Sequence, residues 1–147
     1  MIRRRSLHHP VVSITVWQAR EAGGPLERAE RPMLEPAADE LVLEVLHCGL
    51  CHSDLSMLDN QWGMSSYPLV PGHEVVGRVE EVGSMVKNLK PGDRVGLGWF
   101  SGSCMTCPQC IGGDHNLCAK GEGTIVGRHG GFADRVRSHW IWVTPLP

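Results

Sequence analysis

The stretch Ser103–Cys118, SCMTCPQCIGGDHNLC, sets four cysteines at Cys104, Cys107, Cys110 and Cys118, a Cys-x2-Cys-x2-Cys-x7-Cys pattern. Four thiolates at such short spacings can close a tetrahedral shell around one zinc ion. A closed shell leaves no position for water or substrate, so the site is structural. Gly112, His115 and Asn116 suit the tight turn between the third and fourth cysteine. The competing reading is a pair of disulfides in a secreted domain, and the rest of the chain argues against it. The pattern predicts a protruding lobe over about residues 98–121.

Around that lobe the chain reads as a turn-rich β protein. It has 147 residues, 41 % hydrophobic and 20 % charged, which fits one ordinary globular domain. Eighteen glycines and ten prolines against 5 % aromatics favour short strands over a helical bundle. Apolar runs at Val11–Trp17, Leu41–Leu46, Val75–Val82, Val95–Leu97, Phe132–Val136 and Ile141–Val143 are each bounded by turn-forming residues, as the strands of a barrel or sandwich are. Pro71-Gly72 and Pro91-Gly92-Asp93 are explicit turns. ELVLEVLHCG, residues 40–49, predicts a mostly buried strand with Glu44 as its exposed position. One helix is expected after a Ser53 cap, with Leu55 and Leu58 on one side and Asp54 near its positive N-terminal end.

A formal charge of −2 gives no attraction to nucleic acid or anionic lipid, so small molecules are the expected partners. The run Arg3-Arg4-Arg5 is too short for a nucleic-acid patch and reads, with residues 1–10, as a flexible tail. The first apolar run is short and lacks a small-residue cleavage site, so it is a strand and not a signal peptide. Nothing approaches the roughly eighteen apolar residues of a membrane span. Thiolate-rich metal sites suit a reducing compartment, which predicts a cytoplasmic protein.

A second constellation lies upstream. Cys51 and His52 sit in CGLCHSDL, and His73 and Glu74 sit in VPGHEVVG, His73 lying twenty-two residues beyond Cys51. A thiol and an imidazole so far apart make half a zinc site, and a buried small cysteine and a turn histidine would look the same. Cys48, three residues before Cys51, imitates a Cys-x2-Cys half-site.

CGLCHSDL, GHEVVGRVEEVGSMV, PGDRVG, GSCMTCPQCIGGDHNLC and GGFADRV together, over residues 48–136, resemble the zinc-dependent alcohol dehydrogenases of the medium-chain dehydrogenase/reductase superfamily. CHSDL with WGMSSYPLVPGHE looks most like the branch holding cinnamyl alcohol dehydrogenases and aldehyde reductases, while GSCMTC also resembles microbial ethanol-type enzymes. The resemblance implies a mainly β fold: a GroES-like, partly open β-barrel over residues 11–147 with one or two short helices and the zinc lobe. It implies that Cys51 and His73 are catalytic zinc ligands and that Glu74 is a carboxylate able to approach the metal. Asp54 would hold the free nitrogen of His73, Ser53 would contact the substrate oxygen, and His52 would pass its proton to solvent through the cofactor ribose. Cys48 becomes a packing residue. The implied reaction is reversible oxidation of a primary alcohol to an aldehyde, with hydride transfer to NAD or NADP.

In that family a third protein ligand, usually cysteine, and a dinucleotide-binding domain follow the region matched here. No cysteine follows Cys118, and Gly96-x-Gly98-x3-Gly102 is not a dinucleotide fingerprint, since it runs into the cysteine lobe. The expectation is a substrate- and zinc-binding half, inactive alone and part of a homo-oligomer when full length. Rival expectations are a polyol or formaldehyde-type zinc dehydrogenase and, from another class, a stand-alone zinc-binding interaction module. Trp62 and Trp99 could line a substrate pocket, although core or rim is the commoner place for such residues. His8, His9, His47, His115, His129 and His139 carry no motif and read as solvated or satisfied.

Overall fold

The computed structural model describes residues 11–147. The expected tail over residues 1–10, with Arg3, Arg4, Arg5, His8 and His9, lies outside the described residues. The described chain is mainly β. A hairpin pairs β1 (Val11–Gln18) with β2 (Glu27–Leu34) in unbroken antiparallel register. A five-stranded sheet has the order β8 (Arg135–His139), β3 (Glu40–Gly49), β4 (Glu74–Val82), β5 (Arg94–Leu97), β9 (Val143–Pro145). A small ladder joins β6 (Phe100–Gly102) to β7 (Glu122–Gly123).

Two register shifts in the β3–β4 pairing, at Val42/Leu43 and Val45/His47, bend the large sheet. Leu41, Leu43, Val75, Val79, Val95, Leu97, Val136 and Val143 line its concave side with Val86 and Leu89 from the β4–β5 connection. Each such buried aliphatic contributes about 1.5–3 kcal/mol relative to an exposed one. Ile14 and Val16 of β1 form a second cluster with Val70. The two sheets are stitched together where Trp17 N–H donates to Phe132 O at 2.7 Å and Asp134 N–H donates to Thr15 O at 2.9 Å. The result is a curled, partly open barrel, as the resemblance implied.

Several elements differ from expectation. β2, ERAERPML, has no apolar run. It pairs because Ser13 Oγ and Thr15 Oγ1 of β1 donate to Glu30 at 3.1 and 2.9 Å, and as an edge strand it tolerates Pro32 and its charges. The expected strand Phe132–Val136 is divided: residues 132–134 bond to β1, and the regular strand on β3 begins at Arg135. Trp140–Trp142 is a 3-10 turn, begun by His139 Nδ1 accepting from Ile141 N–H at 3.2 Å, and the strand starts only at Val143. In β3, His47 is exposed as well as Glu44.

The lobe leaves the barrel between β6 and β7 and is fastened there by charge. Arg128 donates to Glu122 of β7 at 2.7 Å and to Glu40 of β3 at 3.0 Å, while Arg137 of β8 bonds the other Glu40 oxygen at 3.1 Å. Burial works to raise the pKa of Glu40. The Ala37 N–H, Arg128 and Arg137 outweigh it and hold the carboxyl below its ordinary value. A lowered folded-state pKa means that the carboxylate stabilises the fold above the unfolded-state value and loses that contribution as pH falls through the folded-state value. The melting temperatures of the wild type and Glu40→Gln should therefore differ most above the ordinary carboxylate range and converge as pH falls below it. A gap that stays constant over that range would place the stabilisation elsewhere.

Candidate active site

The hairpin-like passage from β3 to β4 builds the site. Gly49, the last residue of β3, lies opposite Glu74, the first of β4. Cys51 follows Gly49 by two positions and His73 precedes Glu74 by one, so the register alone brings the two candidate ligands to one edge. Between them stands α1 (His52–Leu58). Its N-cap is Cys51, not the expected Ser53, because Asp54 at the third helical position takes the Cys51 N–H on Oδ2 at 3.0 Å. Asp54, Ser56 and Met57 form the buried face of α1, whereas Leu55 is 44 % exposed, so the expected Leu55/Leu58 face is replaced. The reason is the cap carboxylate, which turns Asp54 inward and carries Met57 with it onto Leu69 and Ile125.

Asp54, only 2 % exposed, organises both ligand segments. Its Oδ1 accepts from Gly72 N–H at 2.8 Å and faces His73 Nδ1 at 3.0 Å. A carboxylate can only accept, so Nδ1 carries the hydrogen and Nε2 keeps its lone pair for a metal. Gly72 has φ of +97°, and a Cβ there would sit 2.7 Å from Phe132 N and 2.8 Å from Cys48 Sγ. Only glycine lets this backbone N–H reach Asp54.

Ligand atoms of Cys51, His73 and Glu74 lie within 4.8 Å of one another. One thiolate, one imidazole and one carboxylate with remaining positions open fit a catalytic zinc site. Ser53 Oγ is 3.7 Å from Cys51 Sγ, and His52 is exposed beside it. Trp99 meets the His73 ring edge-on at 4.9 Å between centroids, and Trp62, 46 % exposed, meets Trp99 at 5.9 Å. The two tryptophans thus form a wall beside the site. Cavities of about 310 and 380 Å³ are lined by other residues and include none of Cys51, His73 and Glu74. Cys48 is separate from the ligand group: it packs against the core, and burial pushes its thiol up to about 11.

In the lobe, ligand atoms of Cys104, Cys107, Cys110 and Cys118 also lie within 4.8 Å of one another, and the Cys104 and Cys110 sulfurs are 4.0 Å apart. Tetrahedral zinc with Zn–S bonds near 2.3 Å separates its sulfurs by about 3.8 Å, so the cluster fits the ion. The helix α2 (Pro108–Ile111) and a 3-10 turn over His115–Leu117 present the last two thiols. Backbone N–H groups of Thr106 and Cys107 draw the Cys104 thiol down to about 5, and burial first, then the neighbouring thiols, push Cys110 up to about 11. His115 is satisfied locally, facing Ser103 Oγ at 3.4 Å and the Trp142 ring. A dinucleotide is a different matter. Gly96, Gly98 and Gly102 lie on or between β5 and β6, with no strand-to-helix turn, so these residues do not fit a pyrophosphate.

A curled, partly open barrel carrying a four-cysteine lobe and a separate Cys–His–carboxylate group defines a class of β domain with two candidate metal sites. Residues 37–147 match the alcohol dehydrogenase GroES-like domain model, and the chain belongs to that family. It is 54 % identical over 134 residues to the aldehyde reductase AdhA of Synechocystis, which takes in 91 % of this chain and 40 % of that protein. A cinnamyl alcohol dehydrogenase structure from Sorghum bicolor superposes with a TM-score of 0.86 at 36 % identity, over 92 % of this chain and 41 % of that one. A Helicobacter pylori structure described as CAD complexed with NADP(H) does so at 0.88 and 25 % identity, over 93 % and 42 %. The chain spans about 40 % of the length of the curated relatives it matches. Among the described residues no helix is long and apolar enough to cross a membrane.

Proposed function

We propose that this chain supplies the substrate- and zinc-binding part of an NAD(P)-dependent oxidoreductase that interconverts a primary alcohol and its aldehyde. The observation that carries this reading is the Asp54 carboxylate, which gathers Cys51 N–H, Gly72 N–H and His73 Nδ1 and so aligns two metal donors from distant segments. Cys51 and His73 hold the catalytic zinc, and Glu74 stands close enough to act as a further donor. When bound, zinc supplies Lewis-acid polarisation of the substrate oxygen. Ser53 Oγ, next to Cys51, accepts the substrate hydroxyl proton and orients that hydroxyl. His52, exposed to solvent, takes the proton onward and is the residue that would meet the ribose of a bound cofactor. Trp99 and Trp62 offer flat apolar faces to the carbon skeleton, which favours aromatic and long-chain substrates over polyols.

The barrel, residues 11–147, acts as one unit, with the lobe over about residues 98–121 held by a structural zinc. Six unpaired thiols support a reducing, cytoplasmic setting. A stand-alone zinc module would have no use for His52, Ser53, Asp54 and His73 arranged together, which argues against that rival.

Zinc per chain tests the reading. After exhaustive dialysis of the 147-residue protein one zinc should remain, in the lobe, and a second should bind more weakly when metal is resupplied, because a thiolate, an imidazole and an exposed carboxylate hold less firmly than four thiolates. Turnover by this chain alone should be undetectable. A protein that takes up no second metal at any concentration would remove the catalytic-zinc assignment.

A further inference from the structure

We propose that Gly49 is a positioning residue for the Glu74 carboxylate: its missing side chain is the space from which that carboxylate reaches the Cys51–His73 metal site. This rests on the reading of Cys51, His73 and Glu74 as metal donors. Gly49 and Glu74 face one another as a cross-strand pair at the end of β3 and the start of β4. A Cβ built on Gly49 would lie 2.4 Å from Glu74 Oε2, 3.1 Å from Glu74 Cβ and 3.4 Å from Glu74 Cδ. The closest of these atoms is the carboxylate end, on the same side chain whose oxygen lies within 4.8 Å of the Cys51 and His73 ligand atoms.

The chemistry of the substitution is unusually clean. Gly49 closes β3 with a backbone outside the positive-φ region. Alanine can therefore adopt its backbone without strain. The atom that must leave is the flexible end of an exposed side chain, which swings into solvent at little cost, while the Glu74 Cβ at 3.1 Å has to give by a few tenths of an ångström. Alanine at 49 would leave the fold intact, leave Glu74 present, and remove the carboxylate from the metal. Gly77, further along β4, is the contrast. A Cβ there would meet Glu44 O at 2.8 Å, and backbone cannot step aside.

The test is a cycle of four proteins: wild type, Gly49→Ala, Glu74→Gln and the double variant. One equivalent of zinc fills the four-cysteine lobe, and cobalt is then titrated against a chelator while the thiolate-to-cobalt absorption of Cys51 is followed. Gly49→Ala and Glu74→Gln should each weaken the second-site affinity by about 10- to 100-fold. The double variant should be no weaker than Glu74→Gln alone, because the carboxylate that Gly49 admits is already gone. Circular dichroism and melting temperature should stay at the wild-type values for Gly49→Ala. Wild-type cobalt affinity in Gly49→Ala overturns the proposal, and so does a double variant in which the two losses multiply, since Gly49 would then act by another route. A wild type that binds no second cobalt overturns the metal reading and the proposal with it.

Discussion

Cys110→Ser is expected to empty the lobe of zinc and unfold it while the barrel stays folded. The cause is that residues 103–121 have no apolar core of their own and otherwise rely on local backbone bonds and the His115 contacts with Ser103 and Trp142. None of the three apolar clusters includes a residue from 103 to 121. Ile111 and Leu117 are 77 % and 64 % exposed, and α2 is four residues long, far below the length at which a helix stands alone. What converges inside the lobe is sulfur: Cys110 and Cys118 are its buried side chains, at 4 % and 9 % exposure. Structural zinc in comparable small thiolate sites is worth about 10–16 kcal/mol of folding free energy at neutral pH. Removing one of four thiolates gives up much of that, and nothing else in the lobe replaces it. Zinc content should fall by one per chain. Amide exchange over residues 104–118 should approach that of an unfolded peptide, and a protease should cut there while leaving the β3–β4–β5 sheet protected. Wild-type exchange protection in zinc-free Cys110→Ser would mean that the lobe's backbone bonds suffice and that the metal is incidental.

Why the lobe could be read from sequence while other parts could not is a question of range. Cys104, Cys107, Cys110 and Cys118 lie within fifteen residues, and thiolate chemistry fixes what such a spacing does regardless of the surrounding fold. The β4 and β5 strands were equally legible because buried positions alternate within each, and β3 because its apolar run Leu41–Leu43 is buried throughout. β2 was not, since its reason for being a strand lies across the ladder in Ser13 and Thr15, which bond Glu30. The helix was visible, but its face was not. A carboxylate cap that also binds Gly72 and His73, eighteen and nineteen residues away, decides which side of α1 turns inward. The same holds for Glu74 and Gly49. Motif likeness marks Glu74 as important, yet only the β3–β4 register, shifted at Val45/His47, reveals that a glycine opposite makes room for it. Trp99 is a similar case: nothing local distinguishes it from a core tryptophan, and its edge contact with His73 depends on β5 and β6 delivering it to the mouth of β4.

Those long-range dependences meet in Asp54, and its removal should therefore have an effect out of proportion to one side chain. In Asp54→Ala three N–H donors, from Cys51, Gly72 and His73, lose their acceptor in a site where Asp54 itself is 2 % exposed. A buried donor left unpaired costs about 1–3 kcal/mol, so the loss should be about 3 kcal/mol or more. For a chain of this size that corresponds to a fall in melting temperature of roughly 6–12 °C. Asp54→Asn separates the structural part from the electronic part. Its single carbonyl oxygen can serve either Cys51 or the Gly72–His73 pair, and its amide group faces whichever donors remain. Stability should drop less than in the alanine variant. Cobalt affinity at Cys51–His73 should fall by about 10- to 100-fold in both, because the His73 ring is no longer held with Nδ1–H inward and Nε2 free. If both variants melt near the wild-type temperature and bind the second metal as tightly, then Asp54 does not hold the site together, and the alignment of Cys51 with His73 must come from the β3–β4 register alone.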